Sequence, residues 1–233
     1  NNVIHLTCDS KNRLWLGTLD GITWMDENRN FHRVVLQDTV SKFGSRTIMD
    51  TKVLGPVLYT SLGQFSFNEG TKKWERLDWI PDYLAFPRFY DAEPFDDNKF
   101  IYSTDSLVMI VDYANKKISY QQPFTKIVSV CRYSDQELAL GWQPGKVQIV
   151  NFLTKQIVKE YRISSELNRK TISSTIGEVR SAVNGSLLVA TDYGGIFIID
   201  RAGNVSSYKH DPINSKTIGP NTTYRVLCGN NGD

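Results

Sequence analysis

Aromatic and charged residues crowd into one short stretch, LDWIPDYLAFPRFYD (Leu77–Asp91). Trp79, Tyr83, Phe86, Phe89 and Tyr90 fall within twelve positions, with Pro81 and Pro87 stiffening the backbone between them. Aromatic faces stack on the apolar faces of sugar rings, and Asp82 and Arg88 have the groups to bond hydroxyls or a uronate carboxylate. Trp142, in GWQPG, sits on a turn that joins the same surface. The candidate ligand-binding set is therefore Trp79, Asp82, Tyr83, Arg88, Tyr90 and Trp142. The competing reading makes these rings a cap over the space between two neighbouring structural units.

Other chemistry-bearing residues read as structural. Asp20, Asp105 and Asp192 recur at turns, where Asp is a common former, and they belong to separate units, so no calcium site follows. His5, His32 and His210 show no metal-ligand spacing. No nucleophile elbow, zinc-protease helix or phosphate loop occurs. The three N-x-S/T triplets, at Asn184, Asn204 and Asn221, fall on turns. No catalytic residue, metal or cofactor is expected. Cys8, Cys131 and Cys228 hold similar positions in separate units, which makes them buried free thiols acting as small apolar fillers.

The elements that would position a site come from a repeat. DSKNRLWLGTLDGITWMD (Asp9–Asp26) returns as LLVATDYGGIFIID (Leu187–Asp200). Between them lie VLYTSLGQFSF (Val57–Phe67), FIYSTDSLVMIVD (Phe100–Asp112) and LALGWQPGKVQIVN (Leu138–Asn151). Anchored on the glycine of LWLGT, the equivalent positions are Gly17, Thr60, Ser103, Gly141 and Ala190, at steps of 43, 43, 38 and 49 residues. That period is the period of propeller blades.

Each unit reads as four strands. In the first, strand a is Val3–Cys8, strand b Arg13–Gly17, strand c Ile22–Met25 and strand d Phe31–Leu36, with Asp, Asn and Gly supplying the turns. The expected fold is all-β, with propeller blades at about 3–36, 45–79, 86–123, 126–163 and 175–209. Residues 222–233 match the start of the first unit and would begin a sixth blade, so the chain reads as a piece of a longer array. The longer connections, Gln37–Gly44, Asp78–Ala85, Ser164–Ser174 and Asp211–Asn221, run from each strand d to the next strand a. They mark the loop-rich face as the binding face.

Net charge is +2, from 27 basic and 25 acidic residues, and no basic stripe points to nucleic acid. Apolar runs are of strand length, too short to span a membrane.

LWLGT followed by DGITWMD, together with the tail DPINSKTIGPNTTYRVLCGNNGD, resembles the two-component regulator propeller repeat. In units two to four the Trp of strand b becomes Leu58, Ile101 and Ala139. The resemblance implies the periplasmic sensor region of a hybrid histidine kinase from a glycan-degrading gut bacterium. It further implies an oligosaccharide ligand, contact with the remaining blades of the parent, and a homodimeric parent anchored in the inner membrane. Two other classes stay open: a non-catalytic protein-interaction scaffold and a propeller lyase. A sensor should show an aromatic-floored cleft with convergent polar groups, a scaffold a broad apolar patch.

Overall fold

Asp, Asn and Thr at fixed offsets decide where each strand ends. In the computed structural model, residues 3–18, 21–34, 47–60, 63–81, 89–104, 106–167, 170–173, 175–219 and 221–226 are described. They form five four-stranded antiparallel sheets and no helix, an arrangement of propeller-like blades. The first sheet holds β1 (Val3–Cys8), β2 (Leu14–Thr18), β3 (Gly21–Met25) and β4 (Phe31–Val34). The second holds β5 (Thr47–Thr51), β6 (Gly55–Thr60), β7 (Gly63–Asn68) and β8 (Lys73–Arg76). The third holds β9 (Phe89–Asp96), β10 (Lys99–Thr104), β11 (Leu107–Asp112) and β12 (Lys117–Pro123). The fourth holds β13 (Ile127–Arg132), β14 (Glu137–Trp142), β15 (Lys146–Asn151) and β16 (Gln156–Arg162). A hairpin, β17 (Ser164–Leu167) and β18 (Lys170–Ser173), precedes the fifth sheet: β19 (Thr175–Ser181), β20 (Leu187–Asp192), β21 (Gly195–Ile199) and β22 (Val205–Tyr208). Every sheet pairs its strands in sequence order.

Two turn devices repeat. At the end of each third strand an Asp or Asn side chain accepts backbone N–H groups from the turn. Asp26 takes Asn30, Asn68 takes Gly70 and Thr71, Asp112 takes Asn115, Asn151 takes Leu153 and Thr154, and Asp200 takes Asn204. These bonds hold Arg29, Lys72, Lys116 and Lys155 at positive φ, a region non-glycine residues enter at a cost. Between second and third strands, the hydroxyls of Thr60, Thr104 and Thr191 donate to the carbonyls of Gly63, Leu107 and Gly195 at 3.0, 3.1 and 2.8 Å.

Those clamps correct the repeat register. Thr60 pairs with Gly63 as Thr18 pairs with Gly21, so Thr60 matches the threonine of LWLGT and not its glycine. Tyr59 occupies the position of Gly17, and Val57 rather than Leu58 that of Trp15. The one-residue difference leaves no mark in the sequence because the buried pattern of β6 does not alternate. Two further expectations change. The connection Ser164–Ser174 contains the β17–β18 hairpin, paired from Ser164↔Ser173 to Leu167↔Lys170. Residues 222–226 form no strand, and the rest of the expected sixth start, with Cys228, lies outside the described residues.

The chain divides into two compact units. One contains 1–89, 96–99 and 111–119; the other contains 90–95, 100–110 and 120–233. In the first unit, Trp15 and Ile22 of sheet one pack on Ile48, Leu58, Phe67 and Trp74 of sheet two. Trp15 meets Phe67 and Trp74 edge-on at centroid distances of 5.0 and 5.4 Å. Its indole N–H donates to Asp9 at 2.7 Å, which explains the Asp that precedes LWLGT. In the second unit, Ile101, Val108, Ile110 and Tyr120 of sheet three pack on Val130, Leu138, Leu140 and Val150 of sheet four. The opposite side of sheet four, with Cys131, Ala139, Val147 and Ile149, packs on Ile176, Val179, Leu187, Val189, Phe197 and Ile199 of sheet five. Cys131 is buried as expected, but Cys8 is exposed, on the side of sheet one where Leu6 and Phe31 are exposed too.

Candidate functional site

The first strands of four sheets carry a polar residue at one matching position. Register places His5 opposite Gly17, Thr47 opposite Tyr59, Ser129 opposite Gly141 and Glu178 opposite Ala190. In β1, β13 and β19 a bulge immediately precedes that residue. A bulge re-aims the next side chain, and here it turns a polar group towards the following first strand. His5 Nδ1 accepts the Ile48 N–H at 3.4 Å, Asp91 Oδ2 accepts Val130 N–H at 3.2 Å, Ser129 Oγ accepts Val179 N–H at 3.0 Å, and Glu178 Oε2 accepts Val226 N–H at 2.6 Å. The first three are staples between successive first strands, and the fourth ties β19 to residue 226, which lies in no strand. Gly141 belongs to the device: a Cβ there would lie 2.9 Å from Val179 and 3.1 Å from Ile176.

In the second unit the staples merge into an ion cluster. Arg180 reaches Asp91 at 3.2 Å, Glu93 at 2.5 Å and Glu178 at 2.6 Å, and Arg225 reaches Glu178 at 3.2 Å. Ser129 donates to Asp91 at 2.7 Å. Three carboxylates thus share two guanidiniums, and the Arg225 side chain is 70% exposed while that of Arg180 is only 13%. Burial pushes Glu93 up to about 7; Arg180 opposes this, and the charges on Asp91 and Glu178 add to it. Burial also raises Glu178. For Arg180 burial works against the charge, but the three carboxylates prevail and its proton is held more tightly. Burial likewise pushes the Cys131 thiol far up, so it is no nucleophile.

Beside the cluster lies a cavity of about 210 Å³ lined by Asp91, Val128, Gly177, Glu178, Tyr224 and Arg225. Gly177 admits the wall formed by residues 223–224: a Cβ there would meet the Tyr224 carbonyl oxygen at 2.9 Å. The cavity offers carboxylate acceptors, a guanidinium donor and a phenol ring. Such a set bonds adjacent hydroxyls of a small polar molecule.

The residues singled out from sequence fare differently. Asp82, Tyr83 and Arg88 lie outside the described residues. Tyr90 lies in β9, at the start of the second unit, and its side chain is likewise outside them. Trp79, in the first unit, is partly buried and meets Tyr113 edge-on at 6.0 Å; the Tyr113 hydroxyl in turn donates to Gln64. Trp142, in the second unit, packs edge-on against Phe124 at 5.5 Å with the Lys146 ammonium 4.5 Å from its ring. Its indole N–H is buried without a hydrogen-bond partner. His5 pairs with Thr47, His32 with Asp26 and His210 with the Ile218 carbonyl. Among the described residues no group of His, Cys, Asp and Glu could hold a metal ion. Sequence reading missed Asp91, Glu93, Glu178 and Arg180. The mark was present in GEVRS and YDAEP, where charges interrupt first strands that elsewhere read IVSV.

No protein-family model matches the chain, and no curated protein matches it in sequence. Solved structures match its fold. The extracellular domain of the putative hybrid two component system BT4673 from B. thetaiotaomicron covers 100% of this chain, with TM-score 0.68 and 17% identity. PorZ, a surface component of the type-IX secretion system of Porphyromonas gingivalis, covers 98% with TM-score 0.70 and 10% identity. Virginiamycin B lyase from Staphylococcus aureus covers 90% with TM-score 0.63 and 13% identity. The chain spans 31% of the BT4673 domain, 36% of PorZ and 71% of the lyase. At these identities the likeness establishes a related all-β, propeller-like fold, shared by a sensor, a secretion component and an enzyme.

Proposed function

We propose that this chain is part of the extracytoplasmic, periplasmic ligand-sensing region of a hybrid two-component histidine kinase that responds to an oligosaccharide. The observation that carries the reading is the match to a two-component extracellular domain along the whole chain, together with the LWLGT–DGITWMD repeat. The fold alone favours no single activity. In this reading the chain does no chemistry. A sugar residue enters the cavity beside Arg180, meeting Asp91, Glu178 and Arg225 with its hydroxyls and Tyr224 with a ring face. Binding shifts the parent, a homodimer, between two states for which the ligand has different affinity. The aromatic segment with Trp79, Asp82, Tyr83, Arg88 and Tyr90, and the turn with Trp142, remain the second proposed contact surface.

Calorimetry against a panel of oligosaccharides tests both surfaces. Tyr224→Ala removes an exposed ring and should leave the thermal midpoint unchanged, whereas Arg225→Ala takes one of two cations from the cluster and should lower it slightly. A ligand in the cavity loses at least about tenfold in affinity in both, the equivalent of one or more lost polar contacts. Weakening in Trp79→Ala and Arg88→Ala instead moves the site to the aromatic segment. Absence of heat from every sugar overturns the glycan reading.

A further inference from the structure

The wall of the cavity beside Arg180 has a sign. It holds two buried carboxylates, Asp91 and Glu178, one guanidinium, Arg225, and the Tyr224 ring. Val128 and Gly177 complete it and bring no competing charge. Arg180 is already shared among Asp91, Glu93 and Glu178. Arg225 meets Glu178 at 3.2 Å, but its side chain is 70% exposed, so water screens its charge. Among the described residues, three carboxylates thus face two guanidiniums, one of them largely in water. Ser129 Oγ, the Val130 N–H and Arg180 all donate to Oδ2 of Asp91, and Oδ1 is the oxygen placed to accept from a ligand. Arg180 and Arg225 donate to Oε1 of Glu178, and the Val226 N–H to Oε2. Ionised carboxylates only accept hydrogen bonds, and an ammonium only donates them, three at a time. The exposed face of the Tyr224 ring attracts the same kind of group. Burial and the charges on Asp91 and Glu178 push Glu93 up to about 7 against the pull of Arg180, so the cluster already draws in a proton that a cation could replace.

We infer that the sugar this cavity takes is an unacetylated amino sugar, its ammonium held between Asp91 and Glu178 and a neighbouring hydroxyl or ring oxygen met by Arg225. The inference rests on the cavity being the ligand site proposed above. The ammonium donates charge-assisted bonds to Asp91 Oδ1 and to Glu178, roughly twice as strong as those a hydroxyl makes. Tyr224 covers the ring face beside it. A neutral sugar fits the same wall and leaves the negative charge unanswered. An N-acetyl group removes the charge and adds a carbonyl acceptor where the wall itself only accepts. A uronate sets a further negative charge against Asp91 and Glu178, which makes acidic sugars the poorest occupants.

Calorimetry at pH 6 and low salt compares glucosamine, galactosamine and their short oligomers with the N-acetylated and all-hydroxyl counterparts. One of the two amine series should bind at least about tenfold more tightly than both of its counterparts, and Tyr224→Ala should weaken it. Asp91→Asn keeps the shape and removes the charge, and should bring the amine down to the level of the neutral sugar. Added salt should weaken the amine and not the neutral sugar, a readout in the unaltered chain that does not depend on the variant folding. Acetylated or neutral sugars that bind as tightly as the amine, with Tyr224→Ala weakening them all, overturn the amino-sugar inference and leave the cavity as the site. Putrescine binding as tightly as the amino sugars overturns it too, because hydroxyls and ring face would then contribute nothing. Amine binding that Tyr224→Ala leaves unchanged, or no heat from any sugar, overturns the cavity reading and the inference together.

Discussion

Two charged clusters, one in each unit, are built from similar parts and have opposite electrostatics. Around Asp9, every acceptor has a donor: the N–H groups of Lys11 and Arg13, the Arg13 guanidinium at 2.6 Å and the Trp15 indole. Glu69 takes Lys11, Arg13 and Lys72 at 2.9, 2.6 and 3.0 Å. Cations outnumber carboxylates. Burial opposes ionisation of both acids, but the donors prevail, holding Asp9 below its ordinary value and Glu69 down at about 2. Around Arg180 the count is reversed, and burial lifts Glu93 to about 7. The first cluster is complete and stitches the turn after β1 to the turn after β7. The second is left short of positive charge beside a cavity, where a ligand or a proton changes the balance most.

Removing the central arginine of each cluster should break the symmetry of that comparison most visibly. Arg180→Met leaves three carboxylates facing one another with only the exposed Arg225 nearby. Loss of one partner from a buried ionic group costs about 3–5 kcal/mol. Arg13→Met leaves Asp9 with two backbone N–H groups and an indole, and Glu69 with two lysines, so about 1–2 kcal/mol is expected. Urea unfolding of both variants at pH 8 measures the difference. Equal costs would show that the carboxylate excess at Arg180 has no energetic consequence.

The two clusters should also respond to pH with opposite signs. Glu93 titrates near 7 in the folded chain and near its ordinary 4.5 when unfolded. Between those values the folded state holds a proton that the unfolded state has released. Stability from this group therefore falls as pH rises from 4.5 to 7, and the full penalty is present above 7. Glu69, at about 2 when folded, contributes stability above 4.5 that is lost as pH falls below it. Glu93→Gln should flatten the decline between pH 5 and 7 and stabilise the chain at pH 8 by about 2 kcal/mol. Denaturation midpoints across that range decide it; a slope unchanged in the variant would place the titration elsewhere.

The fold was more legible than the site for a physical reason. Turn chemistry is local: the Asp or Asn that ends each third strand, and Thr60, Thr104 and Thr191, bond within four residues of themselves, so their spacing survives in the sequence. Strand limits followed, as with strand c at Ile22–Met25 against the observed Gly21–Met25. Fully buried strands hide register, because Val57, Leu58 and Tyr59 are all buried and nothing alternates. That is how Thr60 came to stand for Tyr59. The Arg180 cluster is non-local, joining residues 38 to 89 positions apart, and no spacing rule announces it. The aromatic run at Trp79–Tyr90 stands out because crowding within a segment is visible in one dimension. Convergence of Asp91, Ser129 and Arg180 from three strands is not. The exposure of Cys8 was missed similarly, since burial of a first strand depends on a neighbouring sheet and not on its own residues.

The smallest expected effect sharpens the contrast between a staple outside the ion cluster and one wired into it. His5 accepts the Ile48 N–H through a long bond of 3.4 Å, whereas Ser129 both accepts from Val179 and donates to Asp91. Ser129→Ala leaves a buried N–H unpaired and takes a donor from a group of carboxylates already short of them, which should cost about 1–2 kcal/mol. His5→Ala removes the bonds to Ile48 and Thr47 without touching the cluster. Because the lost donor matters through charge, Glu93→Gln should offset part of the Ser129→Ala cost but none of the His5→Ala cost. A double-mutant cycle at pH 8 reads this as a coupling of about 0.5 kcal/mol or more for the first pair and none for the second. Additivity in both pairs would mean that Ser129 is a staple only, with the ion cluster set by Arg180 alone.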